Sequence, residues 1–275
     1  MRTKSKYIVT AAIRSLLLLL FAGCEREAVQ TLPQREWELT WSDEFDGPAG
    51  SSPDASKWSF DMGAGGWGNQ ELEYYTNRTN NAKVEAGNLV ITAIKENFGG
   101  AAFTSARIKT QGKFSQAYGR FEARIKTPYG PGIWPAFWLL GDNVDTDGWP
   151  LCGEIDIMEL KGQEPSIING TVHGPGYSAG SAITKSYGLV TGRFDTDFHI
   201  FAVEWGPNFI DYFVDGFLYY RITPKDVTGE WVYDHPFFII LNVAVGGNYV
   251  GFPTTGTIFP QSMYVDYVKV YKQIQ

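Results

Sequence analysis

Three carboxylates stand close together in Glu154-Ile155-Asp156-Ile157-Met158-Glu159. On a regular strand side chains alternate between faces, so Glu154 and Asp156 share one face and Ile155 and Ile157 take the other. Glu159 breaks the pattern, because its odd spacing from Asp156 would set it among apolar side chains, where an unpaired carboxylate is costly. One extra residue returns it to the face of its partners, and the spacing therefore predicts a β-bulge at Ile157 or Met158. Acids gathered on one face repel, and at least one is then held protonated near neutral pH. Glycoside hydrolysis uses that arrangement: one carboxylate attacks the anomeric carbon and the other, protonated, supplies the leaving oxygen with its proton, at a separation of about 5–5.5 Å in retaining enzymes. A straight strand would hold Glu154 and Glu159 farther apart, so the strand must curve and the side chains must lean inward. A solvated acidic strand face, or a Ca²⁺ site, is the alternative reading of the acids alone.

The residues around them favour a carbohydrate cleft. In Gly132-Ile133-Trp134-Pro135-Ala136-Phe137-Trp138 the two indoles fall on one face of a strand, and Trp149 follows shortly before the acids. Indole faces suit the apolar C–H faces of sugar rings. Trp41, Trp58 and Trp231 are expected in the core instead. His173 and Asn242 are polar residues in apolar or Gly-rich strands and fit either a satisfied core position or a cleft lining. The three His, at 173, 199 and 235, show no metal-ligand spacing, which argues against a metalloenzyme. Cys152 is expected as a buried, inert thiol, and the Asn77-Arg78-Thr79 acceptor pattern is read as chance.

Many short alternating segments, separated by Gly, Pro, Asn and Asp, must position these residues. Nine Trp, fifteen Tyr, eighteen Phe and thirty-one Gly in 275 residues suit strands and turns. Strands are expected at Leu89–Ala93, Arg120–Lys126, Phe198–Trp205, Phe209–Val214, Phe237–Val245 and Tyr264–Tyr271, within an all-β chain of about a dozen. So many strands divide into two packed layers, a β-sandwich. A formal charge of −7 without a clustered basic surface excludes nucleic acid as partner. Residues 1–23, with Arg2, Lys4 and Lys6 before an apolar run, read as a signal peptide too short to span a membrane. Residues 24–36 read as a tether and 37–275 as one catalytic domain, expected to be a monomer.

Cys24, directly after Ala22-Gly23, resembles the lipidated Cys of bacterial lipoproteins, implying a membrane anchor of the envelope through lipid alone, with simple secretion as the alternative. Glu154 to Glu159 matches the E-x-D-x-x-E signature of glycoside hydrolase family 16, in its laminarinase branch. Trp41 to Asp46, Asn69 to Thr76, Tyr118 to Arg124, the Trp-Pro-Ala-Phe-Trp run, Asn242 to Gly247 and Val265 to Tyr271 resemble further family blocks in family order. The resemblance implies a β-jelly-roll of two curved antiparallel sheets with an open concave cleft, and a retaining endo-hydrolase of β-1,3-glucan, with mixed-linked β-1,3-1,4-glucan as a further substrate. It gives Glu154 as nucleophile, Glu159 as acid/base and Asp156 as the residue orienting the nucleophile. It gives Asn81, Arg107, Trp134, Trp138, Trp149, His173, Trp67 and Asn242 as sugar contacts. No cofactor for catalysis is implied; a structural Ca²⁺ is, at Glu44, Gly87 and Asp266. A noncatalytic glucan-binding lipoprotein, a galactan-cleaving relative and a transglycosylase are the rival readings.

Overall fold

A computed structural model describes residues 34–274, so the expected signal peptide, Cys24 and most of the tether lie outside the described residues. Seventeen strands, one four-residue helical turn at Val144–Asp147 and one 3-10 turn at Ala179–Ser181 make up the described secondary structure. The expected strands recur, two with unchanged bounds, Phe209–Val214 and Phe237–Val245; Tyr264–Tyr271 lies inside the longer Gln261–Ile274.

Two sheets form. One has seven strands in the order Ile183–Gly188, Ile167–His173, Glu154–Leu160, Ile133–Gly141, Phe237–Val245, Arg107–Lys109 and Ser59–Asp61. The other has ten strands and is centred on Gly119–Lys126 and Gln261–Ile274. Every pairing is antiparallel except Glu73–Tyr75 with Ala101–Ser105. Ile155, Ile157, Ile168 and Val172 of the first sheet belong to one apolar cluster with Phe121, Ile125, Phe201 and Val203 of the second. Burial of these side chains is the main driving force holding the layers together. Trp58 is buried as expected, and Trp41 and Trp231 pack against the core while remaining partly exposed.

The outward side of Gly119–Lys126 is wet but ordered by ion pairs: Arg120 meets both Glu122 and Glu204. Arg35, which the sequence assigns to the tether, pairs with Glu204 and with the fully buried Asp211, so the domain's contacts begin before the first strand at Glu36.

Candidate active site

Period-two alternation on each of the seven strands, combined with their register, lines up side chains into rungs across the sheet. Ser186, Asn169, Glu159, Ala136, Asn242, Arg107 and Asp61 are successive cross-strand partners, one from every strand. The next rung is Thr184, Thr171, Asp156, Trp138, Ile240, Lys109 and Ser59. Glu154 pairs with His173 and Leu140 one rung further on. The three acids thus occupy three consecutive rungs on one face.

They do so through the expected bulge. Asp156 opposes Trp138, yet Met158 opposes Phe137, and on the other side Asp156 opposes Thr171 while Glu159 opposes Asn169, so one extra residue is accommodated between Asp156 and Glu159. Ile157 and Met158 both turn into the core, at 1% and 0% exposure. The Glu154 carboxylate lies with Asp156 and His173 in a group of ligand atoms all within 4.8 Å of one another.

The two glutamates have their own donors. The Trp149 indole N–H donates to Glu154 Oε2 at 2.9 Å. His173 Nδ1 accepts the Ala179 N–H at 3.1 Å, so the neutral ring carries its proton on Nε2, which lies 3.2 Å from Asp156 Oδ2 and 3.6 Å from Glu154 Oε1. Trp134 donates to Glu159 Oε1 at 3.0 Å. Since an indole N–H only donates, Oε1 is the accepting oxygen and the acid's proton belongs on Oε2, which the Thr171 hydroxyl flanks at 3.4 Å. Burial, and after it the neighbouring Asp156 charge, pushes Glu154 up to about 8. Burial likewise raises Asp156, and it pushes Glu159 well above the carboxylate range with a further contribution from Asp156. Burial thus favours the protonated form of Glu159. Glu154 keeps 16% of its side-chain exposure and can be reached from the cleft.

The expected sugar contacts separate into those the site gathers and one it does not. Arg107 is held by Asp61 at 2.9 Å with its guanidinium 4.7 Å from the Trp138 ring and 5.2 Å from the Trp67 ring. Asn242 accepts the Trp138 indole N–H at 2.8 Å. Trp134, with Tyr249 beside it at 4.9 Å, and the half-exposed Trp149 complete a row of aromatic surfaces along the acids. Asn81 does not join them: it is fully buried, accepts from Thr76 and Arg78, and donates to Thr92 O and Thr104 Oγ1, so its amide is fully used in holding the fold. Thr171, Asn169, Tyr249 and Asp61 belong to the site and went unrecognised in the sequence. For Thr171 and Asn169 the signal was present, since both lie at even spacing from His173; Tyr249 and Asp61 lie in segments without local indication.

The Ca²⁺ positions are also brought near one another, because Val265 pairs with Leu89 and Asp43 with Val268 at one end of the ten-stranded sheet. Their carboxylates, however, are matched by cations, Glu44 by Lys269 at 3.1 Å and Asp266 by Arg124 at 2.7 Å, so as donors they fit a divalent ion only if those pairs open. Cys152 is fully buried, and its thiol is pushed up to about 11 chiefly by burial, in keeping with an inert role.

Among known proteins, the model for Glycosyl hydrolases family 16 matches residues 69–269. A β-glucanase of Rhodothermus marinus is 46% identical over 95% of this chain and 94% of its own. A glucan endo-1,3-β-glucosidase of Cryptopygus antarcticus is 41% identical over 78% of this chain and 83% of its own. The solved catalytic domain of an endo-1,3-β-glucanase (laminarinase) from Thermotoga petrophila superposes with a TM-score of 0.83 at 47% identity, covering 88% of this chain and all of that one.

Proposed function

This chain belongs to glycosyl hydrolase family 16, a β-jelly-roll sandwich, and from that premise we propose that it is an endo-acting β-1,3-glucan hydrolase working with retention of configuration. The observation that carries the reading is the placement of Glu154, Asp156 and Glu159 on three consecutive rungs of one face, with an indole N–H on each glutamate.

In the first step the Glu154 carboxylate attacks the anomeric carbon as the glycosidic C–O bond breaks, and Glu159 gives its proton to the departing oxygen. In the second, Glu159 takes a proton from water, whose oxygen attacks the same carbon and releases Glu154. Asp156 holds Glu154 in its attacking position, and His173 Nε2 stands beside Asp156 at 3.2 Å. Trp138, Trp134 and Trp149 supply faces for sugar rings. The relatives' names support β-1,3-glucan as substrate, with mixed-linked glucan as a second one.

Purified protein should release short oligosaccharides from laminarin, and Glu154→Gln and Glu159→Gln should each lose at least about 10²-fold in kcat. A Glu154→Gln rate equal to the parent's would overturn the mechanism. Export as a lipoprotein, with residues 1–23 removed and Cys24 lipidated, and a monomeric state are part of the same proposal. Absence of labelling by radioactive palmitate would refute the anchor. A structural Ca²⁺ at Glu44, Gly87 and Asp266 is proposed from the resemblance; a melting temperature indifferent to chelator and to added Ca²⁺ would dispose of it.

A further inference from the structure

The block Asn69-Gln70-Glu71-Leu72-Glu73-Tyr74-Tyr75-Thr76 has so far served only as a family likeness, yet it brings two acids beside the cleft. Glu73 is fully buried. Its Oε2 accepts the Val245 N–H at 2.6 Å, while Oε1 has no hydrogen-bond partner. The carboxyl of Glu71 lies beside it, and burial, then the Glu71 charge, raise Glu73 well above the carboxylate range.

Glu71 is only partly buried, and it accepts further from the Tyr75 hydroxyl at 3.0 Å and the Asn69 amide at 3.2 Å. Tyr75 in turn accepts from Asn242 at 3.2 Å, and Asn242 accepts the Trp138 N–H. On its other side Glu71 flanks Gly247, where a Cβ would stand 3.6 Å from Glu71 Cγ and 3.5 Å from the Trp134 ring. Glu71 therefore borders the space between the two indoles of the Trp-Pro-Ala-Phe-Trp run. Among the described residues no Lys or Arg forms an ion pair with it, unlike Asp61 nearby, which pairs with Arg107 and Lys109. A carboxylate with acceptor capacity left, facing a cleft for neutral polyols, is matched to sugar hydroxyls.

We propose that Glu71 contacts the substrate, its carboxylate accepting hydrogen bonds from hydroxyls of the sugar seated between Trp134 and Trp138, and that Glu73 behind it is a positioning residue. The proposal rests on the glucan-hydrolase reading. It is tested by calorimetric titration of a laminari-oligosaccharide into protein carrying Glu159→Gln, where turnover does not obscure binding. Adding Glu71→Gln should weaken binding by at least about tenfold at an unchanged melting temperature. Glu73→Gln, whose amide N–H can replace the acid's O–H, should bind within about threefold of the parent, whereas Glu73→Leu should weaken binding as Glu71→Gln does. Equal affinity with and without Glu71→Gln overturns the substrate contact, and equal affinity for Glu73→Leu overturns the positioning role. Failure of the Glu159→Gln parent itself to bind any β-1,3-glucan would bring down the hydrolase reading and this proposal together, a result distinct from either of those.

Discussion

In the proposed mechanism Glu154 has to lose its proton before it can attack, whereas Glu159 has to keep one, and both titrate upward for the same reason, removal from water. The acidic limb of kcat/KM should therefore follow Glu154 and stand well above the ordinary carboxylate range, with the fall on the alkaline side reporting Glu159. His173 holds Glu154 down, so His173→Ala should move the acidic limb to higher pH; a limb near pH 4 in the parent would contradict this assignment. The same burial bears on stability. Free carboxyls titrate near 4, so between about pH 4 and 8 the folded chain keeps protons that the unfolded chain has released, and stability falls as pH rises through that window. Glu154→Gln abolishes that contribution. Thermal melts should show this inactive variant gaining several degrees at pH 8, at about 2–4 °C per kcal/mol, and no advantage near pH 4. The need for raised acids was legible in the spacing of the motif, while the particular donors on the glutamates were not, because Trp149, Trp134 and Thr171 reach them from separate segments.

The strand Glu154–Leu160 poses a question of its own. Removing Met158 would give plain alternation and still leave all three acids on one face, so the bulge contributes something other than facing. It increases local twist and re-aims side chains. A chain lacking Met158 should fold and bind glucan but lose about 10²-fold or more in kcat, the scale expected of a misplacement of about 1 Å; activity near that of the parent would show the bulge to be dispensable. Period-two reasoning located this irregularity because a buried carboxylate has no acceptable position without it. The family resemblance, by contrast, offered Asn81 as a sugar contact, and Asn81 precedes the Ala82–Glu85 strand of the ten-stranded sheet, where it is fully buried. A resemblance in local sequence does not say which layer a strand joins. The order of the seven strands was likewise hidden, since neighbours such as Ile133–Gly141 and Phe237–Val245 are far apart in the chain.

At the scale of the whole domain, the face opposite the cleft is held by charges. Asp211 is fully buried between Arg35 and Arg221, and Glu204 lies between Arg35 and Arg120. A chain beginning at Trp37 would leave each acid one arginine fewer, and should be less stable than one beginning at Gln34 by about 1–3 kcal/mol with unaltered kinetics. Identical melting temperatures would show Arg35 to be idle. The polar rung from Ser186 to Asp61 has a different kind of consequence. Six strand gaps at about 4.8 Å each make it about 29 Å long, and every strand contributes one side chain to it. Each such side chain stands on a backbone held by its neighbours' hydrogen bonds, so the sheet survives an exchange, although Arg107 with Asp61 and Ser186 with Asn169 change as pairs. In the proposed hydrolase, preference for linkage or branching can then drift by one tooth or one pair of teeth, as on a comb recut piecemeal, while the pair of acids at Glu154 and Glu159 stays in place.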